Sequence, residues 1–253
     1  MLILAATPLG NPQDASQSLK DAITNAKYIA AEDSRKFSRL CSDIGVTYNA
    51  KIISFFEGNE SERLGELTEI LKSGADLLVV TDAGMPGVSD PGYRLVRAAV
   101  EAGVLVRVIP GPSAVTTALL LSGLPTDRFC FEGFVPRTSG ARISWFEDLV
   151  TEERTIVFFE APHRLEESLV DAVEVFGGDR PGAICREITK RYEEVVRGSL
   201  SELLSWAKSK EILGEITVVL TGFDSSKVEI SNEELVSQVM KIESVVYIIN
   251  RRS

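Results

Sequence analysis

LLVVTDAGMPGVSDPGYRLVRAAV, residues 77–100, decides how the chain is read. Leu77 to Val80 form a short apolar run of strand type, and Leu95 to Val100 carry the pattern of a helix. Between them, TDAGMPGVSDPGYR (81–94) is a turn-rich loop, so it sits at a strand's carboxyl end, where open α/β sheets bind ligands. Gly84, Gly87 and Gly92 permit sharp turns or close backbone approach, and Pro86 and Pro91 stiffen the path. Asp82, Ser89 and Asp90 offer acceptors, and two carboxylates in one loop suit an amine or ribose hydroxyls. The local reading is that Ser89 or Asp90 caps the following helix with Pro91 in its first turn. Capping uses only the last few residues and leaves the glycine content of the loop unexplained.

Working outward, the same alternation recurs. Strands are expected at 2–6, 28–31, 51–56, 77–80 and 104–109, and helices at 16–26, from a cap at Asp33 or Ser34 to near Gly45, at 60–73 and at 115–121. Such spacing argues for a mainly parallel sheet covered on both faces. Ser122-Gly123-Leu124-Pro125 closes the last helix, and a boundary is placed there, dividing 1–121 from 122–223. The second series has strands at 129–134, 155–159, 182–187, 192–198 and 216–220. Its helices fall at 143–150, 165–176 and 200–208, and a basic loop occupies 136–142. The strand from Tyr192 is expected to pair antiparallel, which makes this sheet mixed. From 224 to 253 the chain becomes a polar tail with one weak amphipathic stretch, a possible short helix.

Composition removes several function classes. The 253 residues are 44% hydrophobic and 25% charged, an ordinary soluble balance. The apolar start is broken by TPLGNP before it reaches signal or membrane length, which predicts a cytoplasmic protein. Cys41, Cys130 and Cys185 are odd in number and far apart, as expected for reduced thiols. His163 is the sole histidine, which excludes a His-rich metal site, and no metal is expected. A net charge of -10 argues against nucleic-acid binding by bulk charge, although a local basic face is compatible with it.

Neither GxGxxG after the first strand nor GxxxxGK[ST] is present, so a nucleotide-like ligand needs another cradle. Loops at 8–11, 81–94 and 110–114 stand at predicted strand ends, as do Phe159 to Arg164 and Arg186-Glu187. Five such loops suggest a cleft between two domains. Glu160, His163 and Arg164 read either as a functional group or as capping and ion-pair residues. Arg35, Lys36, Arg39, Arg137, Arg142, Arg164 and Lys190 are candidate phosphate contacts, a solvated charged face being the plainer reading.

In order along the chain stand ATPLGN (6–11), AAEDSR (30–35), DAGMPGVSDPGYRLV (82–96), PGPSA (110–114) and SGLPTDRFCFEGFVPR (122–137). FFEAPHR (158–164), CREITK (185–190), EEVVRGSL (193–200) and GEITVVL (214–220) follow. Together they resemble the ribosomal RNA small-subunit methyltransferase I family, within the tetrapyrrole-methylase-like enzymes. The resemblance implies a two-domain α/β fold and usually a homodimer. It also implies S-adenosylmethionine in the cleft and methyl transfer to a cytidine 2′-hydroxyl in the decoding region of small-subunit ribosomal RNA. Carried over by position, the implied cradle is Pro8, Asp82, Ala83, Gly84, Gly87, Val88, Ser113, Ala114, Phe159, Arg186, Gly214, Glu215 and Ile216. Two departures stand out: Phe55-Phe56-Glu57-Gly58-Asn59-Glu60 holds no histidine where relatives often do, and the tail is poor in the basic pattern many members carry.

For such a transfer, alignment dominates the barrier and a base adds to it. Asp33, Glu160 and Glu187, each at a predicted strand end, are the candidate bases. The alternatives are a small-molecule methylase acting on a tetrapyrrole-like substrate and a ribosome-assembly binding protein without turnover.

Overall fold

The computed structural model describes residues 1–227; the weak amphipathic stretch expected in the tail lies outside the described residues. Strands β1 (Leu2–Ala5), β2 (Tyr28–Ala31), β3 (Lys51–Ser54), β4 (Leu77–Val80) and β5 (Val106–Ile109) form one wholly parallel sheet in the order β3-β2-β4-β1-β5. The period of two divides β4 between two cores. Leu77 and Val79 pack with Leu2, Leu4, Leu67, Leu71 and Leu95 on one face, whereas Leu78 and Val80 pack with Leu19, Ile23, Ile29 and Phe37 on the other. Accordingly α3 (Glu60–Lys72) and α4 (Tyr93–Glu101) cover the first face, and α1 (Gln17–Asn25) and α2 (Ser34–Asp43) the second. Side chains begin these latter helices: Ser16 accepts from the Leu19 N–H, and Asp33 from the Arg35 and Lys36 N–H groups.

β1 leads leftward to β2 and β4 rightward to β5, so the carboxyl ends of the adjacent strands β1 and β4 form the topological switch point. Their loops are tied together there. The Thr7 N–H donates to the Gly84 carbonyl at 2.9 Å, and the Gly84 N–H returns the bond at 3.1 Å.

The second sheet, β6 (Phe129–Phe134), β7 (Thr155–Glu160), β8 (Pro181–Arg186), β9 (Glu194–Ser199) and β10 (Ile216–Leu220), runs β6-β7-β10-β8-β9. Only β6 and β7 are parallel; β10 is antiparallel to both neighbours, as β9 is to β8, so the sheet is mixed as expected. On one face lie α6 (Ser139–Glu147), α7 (Leu165–Phe176) and α8 (Leu200–Lys208). The other face takes α5 (Ala114–Ser122), which ends in a left-handed Gly123, φ 72°. Val115, Ala118 and Leu119 of α5 form a core with Leu9 and with Val157, Cys185, Ile188 and Val219, so the two sheets are joined by a packed apolar seam.

Two local expectations fail. Neither Ser89 nor Asp90 caps α4: Gly92, φ 138°, occupies that position, and its N–H donates instead to Glu60 Oε1 at 3.0 Å. Ser89 is itself left-handed, φ 59°, a conformation incompatible with the extended backbone of a cap. The basic loop is also shorter than expected, because α6 begins at Ser139 rather than Ile143. Arg142 is therefore helical and faces α7, where its Nε meets Asp171 Oδ2 at 2.5 Å with the side chain 2% exposed.

Candidate active site

A cavity of about 400 Å³ opens at the switch point and runs to the second sheet, a volume within the range of small-molecule sites. From the first sheet its wall takes Leu9, Glu32, Lys36, residues 82–85, Val88, Ser89 and Asp90. Ser113, Ala114 and Val115 at the start of α5 continue it. Phe134, Phe159, Glu160, Ala161, Pro162, Ile188 and residues 214–217 supply the far side. Of the expected cradle, Asp82, Ala83, Gly84, Val88, Ser113, Ala114, Phe159, Gly214, Glu215 and Ile216 come together on this one wall.

Pro8, Gly87 and Arg186 stand off it. Pro8 is buried, and the Gly87 N–H closes the loop on the Pro91 carbonyl at 3.2 Å. The Arg186 guanidinium is turned to Glu194 at 3.1 Å and to the Leu213 carbonyl at 2.9 Å. Gly84 is needed as glycine: its φ is 79°, and a Cβ there would stand 3.3 Å from the Leu9 side chain.

One side of the wall is acidic. Asp82 Oδ2 pairs with Lys36 Nζ at 2.7 Å and its Oδ1 accepts the Asp33 N–H at 3.2 Å. The Asp82 N–H in turn donates to Glu32 Oε2 at 3.1 Å. Burial raises the Glu32 carboxyl above its ordinary value, against the pull of that backbone bond. Asp90 is pushed up to about 7, first by burial and then by the charges of Glu32, Asp82 and Glu215, while the Thr81 hydroxyl counteracts part of the rise. The opposite side carries an aromatic patch beside Glu215, with Phe134 set edge-on to Phe159 at 5.3 Å between centroids and 57% exposed. That open aromatic edge can receive a flat ring.

None of the three expected bases is free. Asp33 caps α2, and the Arg35 guanidinium together with the Arg35 and Lys36 N–H groups holds its carboxyl down at about 2. A carboxylate so acidic is a weak proton acceptor near neutrality. Glu160 has a fully enclosed side chain that pairs with Arg164 at 2.6 Å and accepts from the Ala161 N–H and the Ser168 hydroxyl. Burial raises the Glu187 carboxyl, but the Glu215 N–H and the Lys190 ammonium outweigh this and hold it below the ordinary value.

The expected phosphate contacts divide in the same way. Arg35, Lys36 and Arg39 project from α2 with side chains 91%, 65% and 84% exposed, and Arg137 is exposed beyond Phe134. Arg142 and Arg164 point inward to Asp171 and Glu160, and Lys190 is held between Glu187 and Glu215 at 2.9 Å from each, so these three are structural. Sequence reading passed over Glu32 and assigned Asp90 to a cap. The usable signal for Asp90 was the loop's second carboxylate, since capping never accounted for the loop's length.

Residues 1–204 match the tetrapyrrole (corrin/porphyrin) methylases. Proteins named ribosomal RNA small subunit methyltransferase I are 54% identical in Mycobacterium tuberculosis, over 87% of this chain and 77% of theirs, and 42% identical in Thermotoga maritima, over 87% and 98%. The chain belongs to the ribosomal RNA small subunit methyltransferase I family. The Escherichia coli O157:H7 member is 37% identical over 92% of this chain and 82% of its own. In fold, the chain is similar to the methyltransferase CobJ, with a TM-score of 0.64 at 17% identity over 91% and 96% of the two chains. It is also similar to a Thermus thermophilus uroporphyrin-III-C-methyltransferase, with 0.60 at 17% over 86% and 93%.

Membership of this methyltransferase family implies S-adenosylmethionine as methyl donor, and the wall fits it. Phe134, Phe159, Leu9 and Ile188 offer a slot for an adenine ring, and Glu32 and Asp82 offer acceptors for ribose hydroxyls or an amine. The glycine backbone at Gly84 permits close approach. Among the described residues no cluster of His, Cys, Asp and Glu suits a metal ion, and no helix is long and apolar enough to cross a membrane.

Proposed function

We propose that this protein transfers the methyl group of S-adenosylmethionine to the 2′-hydroxyl of a cytidine in the decoding region of small-subunit ribosomal RNA. The observation that carries the reading is the extent of the similarity: relatives bearing the ribosomal name match 87% of the chain at 54% identity. The cavity supports it with a wall that is acidic on one side and aromatic on the other, flanked by exposed Arg35, Lys36 and Arg39 on α2 and by Arg137. Arg35, Lys36 and Arg39 reach solvent although each pairs with a carboxylate, Asp33, Asp82 and Asp43 respectively, and Arg137 makes no ion pair among the described residues. Phosphate contacts then position the strand while the exposed hydroxyl and the shape of the particle specify it.

A tetrapyrrole-like substrate is the reading disfavoured by these cations, since a flat macrocycle calls for a wide apolar cleft. We further propose that the protein works as a cytoplasmic homodimer. Val100, Leu105 and Val108 lie exposed on and beside α4 and the edge strand β5, an apolar surface next to a strand edge that is unpaired among the described residues. Light scattering on the purified protein tests the dimer.

The decisive experiment incubates the protein with labelled S-adenosylmethionine and unmodified small subunits and maps the modified nucleotide. Label on a cytidine ribose in the decoding region is the expected result. Absence of label from RNA overturns the proposal.

A further inference from the structure

We infer that Asp90 accepts the proton of the ribose hydroxyl during methyl transfer, a role that rests on the ribose reading above. Its neighbours on the wall are engaged. Asp82 pairs with Lys36, Glu32 accepts the Asp82 N–H, Glu160 pairs with Arg164 and Glu215 with Lys190. Among the carboxylates of the cavity, Asp90 alone neither pairs with a cation nor accepts a backbone N–H within the described residues; its polar neighbour is the Thr81 hydroxyl.

The backbone holds this group in place from several directions. Thr7 and Gly84 exchange two hydrogen bonds at the near end of the loop. At the far end Glu60, itself buried, accepts the Gly92 N–H. Between these anchors the Gly87 N–H closes onto Pro91, and Ser89 takes a left-handed conformation, φ 59°, that an ordinary side chain adopts only when its surroundings impose it. The strained residue immediately precedes Asp90. A loop needed only to start a helix requires none of this.

The electrostatic setting agrees with the geometry. Burial and the carboxylates facing Asp90 from three strand ends, Glu32 after β2, Asp82 after β4 and Glu215 before β10, hold its proton up to about 7, and Lys36 is drawn to Asp82 rather than to Asp90. A base poised near the working pH is ionised in a substantial fraction of molecules yet still takes a proton readily.

Bound S-adenosylmethionine supplies the methyl group, whose carbon bonds to the ribose oxygen as the carbon–sulfur electron pair returns to sulfur. The hydroxyl proton passes to an Asp90 carboxylate oxygen and leaves to solvent through the open cavity once product departs. Charge and atoms balance without a further reactant.

Asp90→Asn preserves shape and removes the acceptor. The test measures single-turnover methylation of small subunits against pH, S-adenosylmethionine affinity by calorimetry, and aspartate carboxyl titration by carbon NMR on labelled protein. Expected are a fall in rate of about 10²- to 10⁴-fold with affinity changed less than about threefold, and loss of the rate-limiting ionisation near 7. One carboxyl resonance titrating near 7 in the wild type should be missing from the variant. An Asp90→Asn protein with the wild-type rate and pH profile overturns the role, as does the absence of any aspartate titrating above the ordinary carboxyl range. Wild-type protein that places no label in RNA instead removes the substrate reading, and the proton role with it.

Discussion

Lys36 Nζ lies 2.7 Å from Asp82 Oδ2, which ties the first turn of α2 to the carboxyl end of β4 across the mouth of the cavity. The other Asp82 oxygen receives the Asp33 N–H, so both oxygens of one carboxylate are fixed before any ligand arrives. Charge-assisted hydrogen bonds to a fixed carboxylate contribute about 1.5–3 kcal/mol. Asp82→Ala should therefore weaken S-adenosylmethionine binding about 10- to 100-fold. Lys36→Met should weaken it less, because the lysine is 65% exposed. Titration calorimetry reads both, and unchanged affinity in Asp82→Ala would remove the carboxylate from the cradle.

Asp90 imposes a stability penalty whose sign follows from its titration. The unfolded chain releases this proton near the ordinary value of 3.8, and the folded protein retains it to about 7. Between these values the folded state binds more protons, so stability falls as pH rises through the window and levels off above it. Asp90→Asn should be the more stable protein at pH 8, by about 1–2 kcal/mol after allowing for partial exposure, and equal to wild type near pH 4. Urea unfolding at both pH values checks this, and a less stable variant at pH 8 contradicts it.

Arg142 and Asp171 form a buried pair between α6 and α7, with side chains 2% and 9% exposed. Arg142→Ala leaves an uncompensated carboxylate and should cost about 3–5 kcal/mol, whereas Arg142→Met with Asp171→Leu should cost far less. One guanidinium nitrogen, Nη1, has no hydrogen-bond partner among the described residues, which further favours the apolar pair. If Arg142→Ala instead reduced only RNA affinity, the residue would belong to the surface after all.

Arg137 is exposed and makes no ion pair among the described residues, and Arg35 is 91% exposed although its guanidinium also pairs with Asp33. Replacing either by Ala should lower the slope of log affinity against log salt by about 0.7 to 1 for small-subunit RNA. Arg164→Ala, by contrast, should leave that slope alone and disturb the Glu160 network instead. Filter binding over a salt series separates the two behaviours.

The strand ends were readable because β-branched and leucine runs such as Leu77 to Val80 lead into loops rich in glycine and proline, and such punctuation survives folding. Partners of the side chains were not readable. Asp33, Glu160 and Glu187 occupy the positions a base needs, yet each is neutralised by a residue within four positions in sequence, Arg35, Arg164 and Lys190 respectively. Local spacing permitted those pairs without requiring them. Arg142 was misplaced for a different reason: where a helix begins sets which way its side chains face, and a start at Ser139 instead of Ile143 turned a surface cation into a core one. Asp90 was hidden by a plausible rival, because Ser-Asp-Pro before an apolar run is the sequence form of a helix start.

β10 is the last strand of the described chain and the central strand of its sheet, between β7 and β8. During synthesis, therefore, β6 to β9 leave the ribosome before the strand that joins them exists. Until Ile216 to Leu220 emerge, β7 and β8 face one another with open edges, and the apolar side of α5 has no completed floor to settle on. Nascent chains halted short of Ile216 should engage chaperones and resist folding, and release of a handful more residues should close the sheet and the seam in one cooperative event.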